Sequence, residues 1–306
     1  MQRGIVSALV VLPFFPGAAS AQEAAGAALW RLAGTTLPVP PALATGPAAV
    51  LWNPAQRDDS GRTHAALEAV QTPSAIGASG MLAAVRFRTG RLGDLGLVYG
   101  RVGLSDLTRT GDTPDPVGSE VPVYTYAVGA TWSRGVALGS GSTTVGATLA
   151  FHETRLDTDR ANRWTMDVGA SHTFGDDRLR VAAATHFFSS LSTANPAQDA
   201  YAGVEYRLWG GPLWGDRAVL RARYGIAFAH AFSADHHLGL GGEFGKGAAL
   251  ALDAAVVREG GYGAPSWRPV GGIRLRVGKY RITLARDAGV NDLGSAYRVG
   301  VEAHFR

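Results

Sequence analysis

The stretch Tyr297-Arg298-Val299-Gly300-Val301-Glu302-Ala303-His304-Phe305-Arg306 decides the fold. Tyr297, Val299, Val301, Ala303 and Phe305 share one parity; Arg298, Gly300, Glu302, His304 and Arg306 share the other. Side chains of a strand point alternately to its two faces, so this segment offers one face to an apolar medium and one to a polar medium. The division recurs upstream. Ile273, Leu275 and Val277 oppose Arg274 and Arg276; Leu220, Tyr224, Ile226 and Phe228 oppose Arg221 and Arg223. Val204, Tyr206 and Leu208 oppose Tyr201, Glu205 and Arg207, and Trp164, Met166, Val168 and Ala170 oppose Arg163, Asp167 and Ser171.

Extending this reading predicts strands at 62–71, 78–88, 92–105, 121–133, 141–154, 162–174, 178–189, 198–209, 217–231, 235–245, 248–259, 266–278, 280–287 and 294–305. They number about fourteen, an even count suited to a closed barrel, and run to roughly ten residues, the length of a tilted membrane strand. Tight turns are expected near Thr89-Gly90, Gly175-Asp176-Asp177, Lys246-Gly247 and Gly278-Lys279, with longer polar connections near 106–120, 155–161, 190–197 and 259–265. Short turns alternating with long loops are the habit of outer-membrane barrels. Aromatic residues gather toward strand ends, among them Tyr124, Trp132, Phe151, Trp164, Phe174, Trp209, Trp267, Tyr280, Tyr297 and Phe305, where an interfacial girdle would lie.

Composition fits. Hydrophobic residues make up 46% of the 306, glycines number 41, and mean hydropathy is near zero. No apolar run of about 20 residues follows the N-terminal segment, so helical spans are excluded, whereas a barrel needs only alternate residues to be apolar. Fourteen strands enclose a lumen too wide for their own side chains to fill, which argues against a soluble barrel. The fold expected is therefore all-β, a transmembrane antiparallel up-and-down β-barrel in the bacterial outer membrane, with lipid as its surrounding partner.

Three segments are expected along the chain. Residues 1–21 read as a secretory signal: Arg3, an apolar stretch from Ile5 to Phe15, a Pro16-Gly17 break and Ala19-Ser20-Ala21 before a cut at Gln22. Residues 22–60 are rich in alanine and proline, with Pro38, Pro40, Pro41, Pro47 and Pro54 interrupting regular structure, and read as an N-terminal plug or lid. Residues 61–306 read as the barrel.

The segment Trp52-Asn53-Pro54-Ala55 resembles a plug motif of the FadL-like outer-membrane superfamily, whose members include hydrophobic-compound transporters and the shorter PorV group of type IX secretion. The resemblance implies a fourteen-stranded barrel with an N-terminal plug, and a channel or transporter for small hydrophobic or amphiphilic molecules. Through the PorV-like members it implies the alternative of a non-transporting interaction platform that meets secretion-system proteins. Asn-Pro starts a tight turn, since proline fixes its own φ and restricts the residue before it, so a compact plug would pivot there. The short chain and brief outer loops place it nearer the PorV-like members in size.

The polar parity nominates lumen-lining charges: Arg86, Arg88, Asp167, Glu205, Arg207, Arg221, Arg223, Glu243, Asp253, Arg274, Arg276, Arg281, Arg298 and Glu302. Arginine dominates. An open lumen so lined would favour anions or the head groups of amphiphiles; in a plugged lumen the same charges would neutralise one another as Arg–carboxylate pairs. Both readings stand at this point. The charges are scattered, with a net +4 and no basic run interleaved with aromatics, so nucleic acid is not expected as a partner. The absence of cysteine removes lipoprotein anchors, disulfides and thiolate metal sites. His236 and His237 would point to opposite faces of a strand and cannot converge on one ion, and Gly-x-Ser-x-Gly is absent, so neither a metal or other cofactor nor an enzymatic activity is expected.

Overall fold

The computed structural model describes residues 26–56, 62–72, 76–110, 116–138, 141–175, 177–190, 198–230, 233–246, 249–260, 266–289 and 294–305. The segment read as a signal, 1–21, lies outside the described residues. Among the described residues, one helix, α1 (Ala27–Thr35), and two 3₁₀ turns at Pro41–Leu43 and Pro47–Leu51 precede the strands. The strands are β1 (Thr63–Gln71), β2 (Ala78–Arg88), β3 (Asp94–Leu104), β4 (Thr108–Thr110), β5 (Pro116–Glu120), β6 (Val123–Leu138), β7 (Gly141–Leu156) and β8 (Asp159–Phe174). They continue as β9 (Leu179–Phe187), β10 (Gln198–Leu213), β11 (Asp216–His230), β12 (Ser233–Phe244), β13 (Leu250–Glu259), β14 (Ser266–Val277), β15 (Tyr280–Asp287) and β16 (Ala296–Phe305).

Fourteen of these form one closed antiparallel barrel, each strand paired with its barrel neighbours; β1 closes it against β16, from Thr63 opposite Phe305 to Gln71 opposite Tyr297. Closure leaves no open sheet edge, the condition for crossing hydrocarbon with strands. The other two, β4 and β5, form a separate hairpin within the connection expected to be loop at 106–120. A second correction concerns 155–161. β7 and β8 continue to Leu156 and from Asp159, leaving only a two-residue turn with Asp157 at φ 58. The apolar alternation fades there because the strands outrun the membrane, while the hydrogen-bonded ladder does not need it.

The alternation sorts the faces. Outward stand the large apolar side chains, such as Leu97 at 62% exposure, Leu149 at 54% and Trp164 at 59%, while Leu82, Val98 and Val257 on the inner face are buried. A continuous exposed apolar surface of this kind belongs in lipid. At the end where β1 begins and β16 finishes, Phe305, Phe87, Leu95 and Trp132 follow one another across β16, β2, β3 and β6. Toward the opposite end, Phe151 packs edge-on against Trp164 at 5.6 Å, and Trp267 and Tyr297 are also exposed. These form the two aromatic girdles of a membrane barrel. Short turns such as Gly278-Lys279 and Trp214-Gly215 fall at the first end and the 105–122 connection at the second, which makes them the periplasmic and outer ends by the usual pattern.

Candidate functional site in the barrel lumen

Residues 26–56 lie inside the barrel. α1 is nine residues long, starts at Gly26 (φ 88) without a side-chain cap, and has no acidic residue in its first turn nor basic residue in its last. A helix this short is marginal by itself in water. The barrel wall supplies what its sequence lacks: Arg298 donates through Nη2 to the Ala33 carbonyl and through Nε to Thr36 Oγ1 at 3.1 Å, and Arg268 Nη1 donates to the Thr35 carbonyl at 2.9 Å. Two cations thus satisfy carbonyls at the helix C-terminus, where the helix dipole also favours positive charge.

The rest of the segment is fastened in the same way. Arg31 forms a forked pair with Asp199, Nη2 to Oδ1 at 2.8 Å and Nε to Oδ2 at 3.1 Å. Arg274 Nη1 reaches Thr45 Oγ1 at 3.0 Å; Arg86 Nη1 reaches the Gln56 carbonyl at 2.6 Å; and Arg180 donates to Gln56 Oε1. The Trp52-Asn53-Pro54-Ala55 motif is buried in this plug, against wall glycines Gly146 and Gly169. Asn53 is fully buried, accepts from the Ala55 N–H through Oδ1 at 2.9 Å, and donates through Nδ2 to the Ala42 carbonyl at 2.9 Å, where Gln56 Nε2 also arrives at 2.6 Å. Trp52 packs against Trp30, ring centroids 6.0 Å apart, and Trp30 stacks parallel on His186 at 5.6 Å.

Several inner-face glycines are explained by this fit. A Cβ at Gly100 would lie 2.5 Å from the Trp30 ring; at Gly203, 2.7 Å from Leu43 Cγ; at Gly272, 2.7 Å from Pro38 Cγ. Lumen-facing glycines on different strands are the sockets into which the plug's bulky residues settle.

All fourteen charges nominated from the sequence stand on the inner face. Glu243, Arg221, Glu205, Arg223, Asp253 and Arg274 form a chain across β10 to β14: Arg221 to Glu243 at 2.7 Å and Glu205 at 3.6 Å, Arg223 to Glu205 at 2.6 Å and to Asp253, and Arg274 to Asp253 at 3.2 Å. Arg281 pairs with Glu302 at 2.9 Å, Arg298 with Glu68, and Asp94 faces Arg86 at 3.4 Å and Arg88 at 3.8 Å. Asp167 holds His186 at 2.8 Å and accepts the Phe187 N–H at 3.0 Å. Arg207 stands opposite Arg221 in the β10–β11 pair, and Arg276 opposite Arg281 in β14–β15. Sequence reasoning missed Arg31, Glu68, Asp94, Arg180, Asp199 and Arg268, although the strand members among them obey the same parity. His236 points outward to Tyr224 Oη at 2.8 Å, while His237 is buried on the inner face.

The lumen has two unlike walls. The charged chain occupies β10 to β16, whereas β2, β3 and β6 present Leu82, Ala84, Val98, Val102 and Ala127, packed with Trp30, Trp52 and Phe188. Leu104 and Val123 continue this apolar stripe, only partly buried, at the outer end.

A closed fourteen-stranded antiparallel barrel with a girdled apolar exterior and a folded N-terminal segment in its lumen is a bacterial outer-membrane β-barrel. Solved structures of similar fold include a TodX deltaS2S3 mutant, described as a monoaromatic hydrocarbon channel (12% identity, 83% of this chain and 93% of that one, TM-score 0.53). CymD, described likewise, matches at 10% identity over 85% and 91% with TM-score 0.50, and the toluene transporter TbuX of Ralstonia pickettii at 12% over 86% and 95% with TM-score 0.49. No protein-family model and no curated protein matches the chain. The fold is thus the fourteen-stranded barrel with an N-terminal segment in its lumen that the Trp52-Asn53-Pro54-Ala55 resemblance implies, and it is shared with the TodX mutant and CymD.

Proposed function

We propose that the protein passes small hydrophobic or amphiphilic molecules across the outer membrane, with residues 26–56 as a plug anchored at the Asn53-Pro54 turn. One observation carries the reading: an apolar stripe runs inside the lumen from Leu104 and Val123 at the outer end down to the Trp30–Trp52 pair. A water-filled pore has a polar interior, and an apolar inner stripe has no use there beyond seating the plug. Facing it, the arginine-rich wall offers donors to a carboxylate or other polar head group. The similarity of the fold to the TodX mutant and CymD, each described as a monoaromatic hydrocarbon channel, supports the same direction.

A second reading, the sealed platform that meets secretion-system proteins, is favoured by the number of arginine anchors that hold the plug. Uptake into liposomes separates the two. The refolded protein is expected to admit an aromatic hydrocarbon or a fatty acid faster than protein-free vesicles do, and a small hydrophilic anion no faster; equal rates for all three with and without protein would favour the platform.

A further inference from the structure

On the outer face of β2, β3, β6, β7 and β8 the ladder changes character near the outer end. The row Tyr99, Val128, Phe151 and Trp164 is apolar and aromatic; the next carries Arg101, Tyr126 and Glu153, and the one above it Tyr124, Arg155 and Arg160. An arginine on the lipid face is costly at the bilayer midplane and nearly free of cost near the interface, so these rows mark the head-group level of the outer leaflet. The polar groups are organised. Tyr124 Oη donates to Glu153 Oε1 at 2.9 Å, Tyr126 Oη to Glu153 Oε2 at 3.3 Å, and Arg160 Nε holds the same carboxylate at 2.8 Å. The fixed Tyr124 ring in turn supports Arg101, whose guanidinium carbon lies 4.8 Å from the ring centroid. Among the described residues no carboxylate lies within ion-pair distance of Arg101.

Beside Arg101 lies a recess of about 550 Å³ lined by the outer-face residues Met81, Tyr99, Gly103 and Tyr124 and bordered by Leu104 and Val123, with Ser105 and Glu120 at its outer rim. Its size falls within the roughly 300–1,000 Å³ of small-ligand pockets. Its lower part is formed by outward-facing residues of the lipid-facing wall, so what enters it comes from the membrane. A guanidinium with no ion-pair partner among the described residues, level with Met81 and next to Tyr99, is complementary to a phosphate carried on an acyl chain, and the planar fork of arginine suits a phosphate better than a lysine would.

We propose that this groove binds one phosphorylated acyl lipid of the outer leaflet, the chain lying on Met81 and Tyr99 and the phosphate on Arg101. Its phosphate contact, Arg101, stands on the exposed outer face of β3 and not in the lumen. The test uses the full chain in detergent micelles, with retained lipid counted by native mass spectrometry. The probes are bisphosphorylated lipid A and its phosphate-free form. Wild type is expected to retain the bisphosphorylated form about tenfold more tightly, the size of one lost charge-assisted hydrogen-bond pair, and Arg101→Gln to bring the two forms level. Met81→Trp, which fills the floor without altering charge, is expected to weaken both forms. Equal preference in wild type and Arg101→Gln would overturn the proposal, as would displacement of lipid A by millimolar inorganic phosphate, which would mark a free-anion site.

Discussion

Gly100 stands where the barrel wall meets the indole of Trp30, and nothing larger than hydrogen fits without displacing the ring. Gly100→Val is therefore expected to loosen α1 while leaving the β3 ladder intact, since valine suits a strand. Because the chain has no cysteine, Ala33→Cys makes a clean reporter at a fully buried plug position. Its labelling by a water-soluble maleimide is expected to be slow in the otherwise native protein and at least about tenfold faster with Gly100→Val, as a shift of roughly 1.4 kcal/mol toward an open plug would give. Unchanged labelling would mean that the wall does not hold the plug at this socket. At this scale the sequence reveals parity and hides partners. Arg298 takes the polar face by simple alternation, yet that its guanidinium joins Glu68, Thr36 and the Ala33 carbonyl depends on where residues 26–56 settle. Arg31 and Asp199 meet across 168 positions, a pairing no local pattern encodes.

Among the elements, the β10–β11 hairpin shows where reading by propensity stops short. The expected strands end at 209 and resume at 217, on either side of Gly210-Gly211-Pro212, whereas β10 continues to Leu213 and β11 starts at Asp216. The ladder survives because β9 pairs with β10 only as far as Tyr206, so no neighbour asks Pro212 for an N–H on that side. The tip is a two-residue turn with both residues left-handed, Trp214 at φ 49 and Gly215 at φ 86, and Trp214 is 93% exposed. Such turns favour asparagine followed by glycine. Trp214→Asn is expected to raise stability by about 1 kcal/mol, read as a higher urea midpoint with an unchanged slope. A lower midpoint would show that the indole makes a stabilising contact at the tip. Strand existence and face were legible throughout the barrel; the hairpin β4–β5 and the extensions of β7, β8, β10 and β11 were not, because there the ladder persists without apolar alternation.

At the scale of the whole molecule, closure, the apolar exterior and the lumen plug follow from a single repeated pattern: alternate residues face lipid, and those between them face inward. The strand count and membrane face were readable from that pattern because each depends on local parity repeated fourteen times. The division of the lumen into an apolar wall and an ion-paired wall was not, since it depends on which strands become neighbours of the plug. If the plug controls an otherwise passable lumen, its removal should open the barrel. The direct test compares the full protein with a form lacking residues 26–56, refolded into the same liposomes, by uptake of an aromatic hydrocarbon and by ionic conductance. The account predicts that deletion increases both, with the barrel still folded by circular dichroism; a folded barrel whose uptake and conductance stay at the level of the full protein would contradict it.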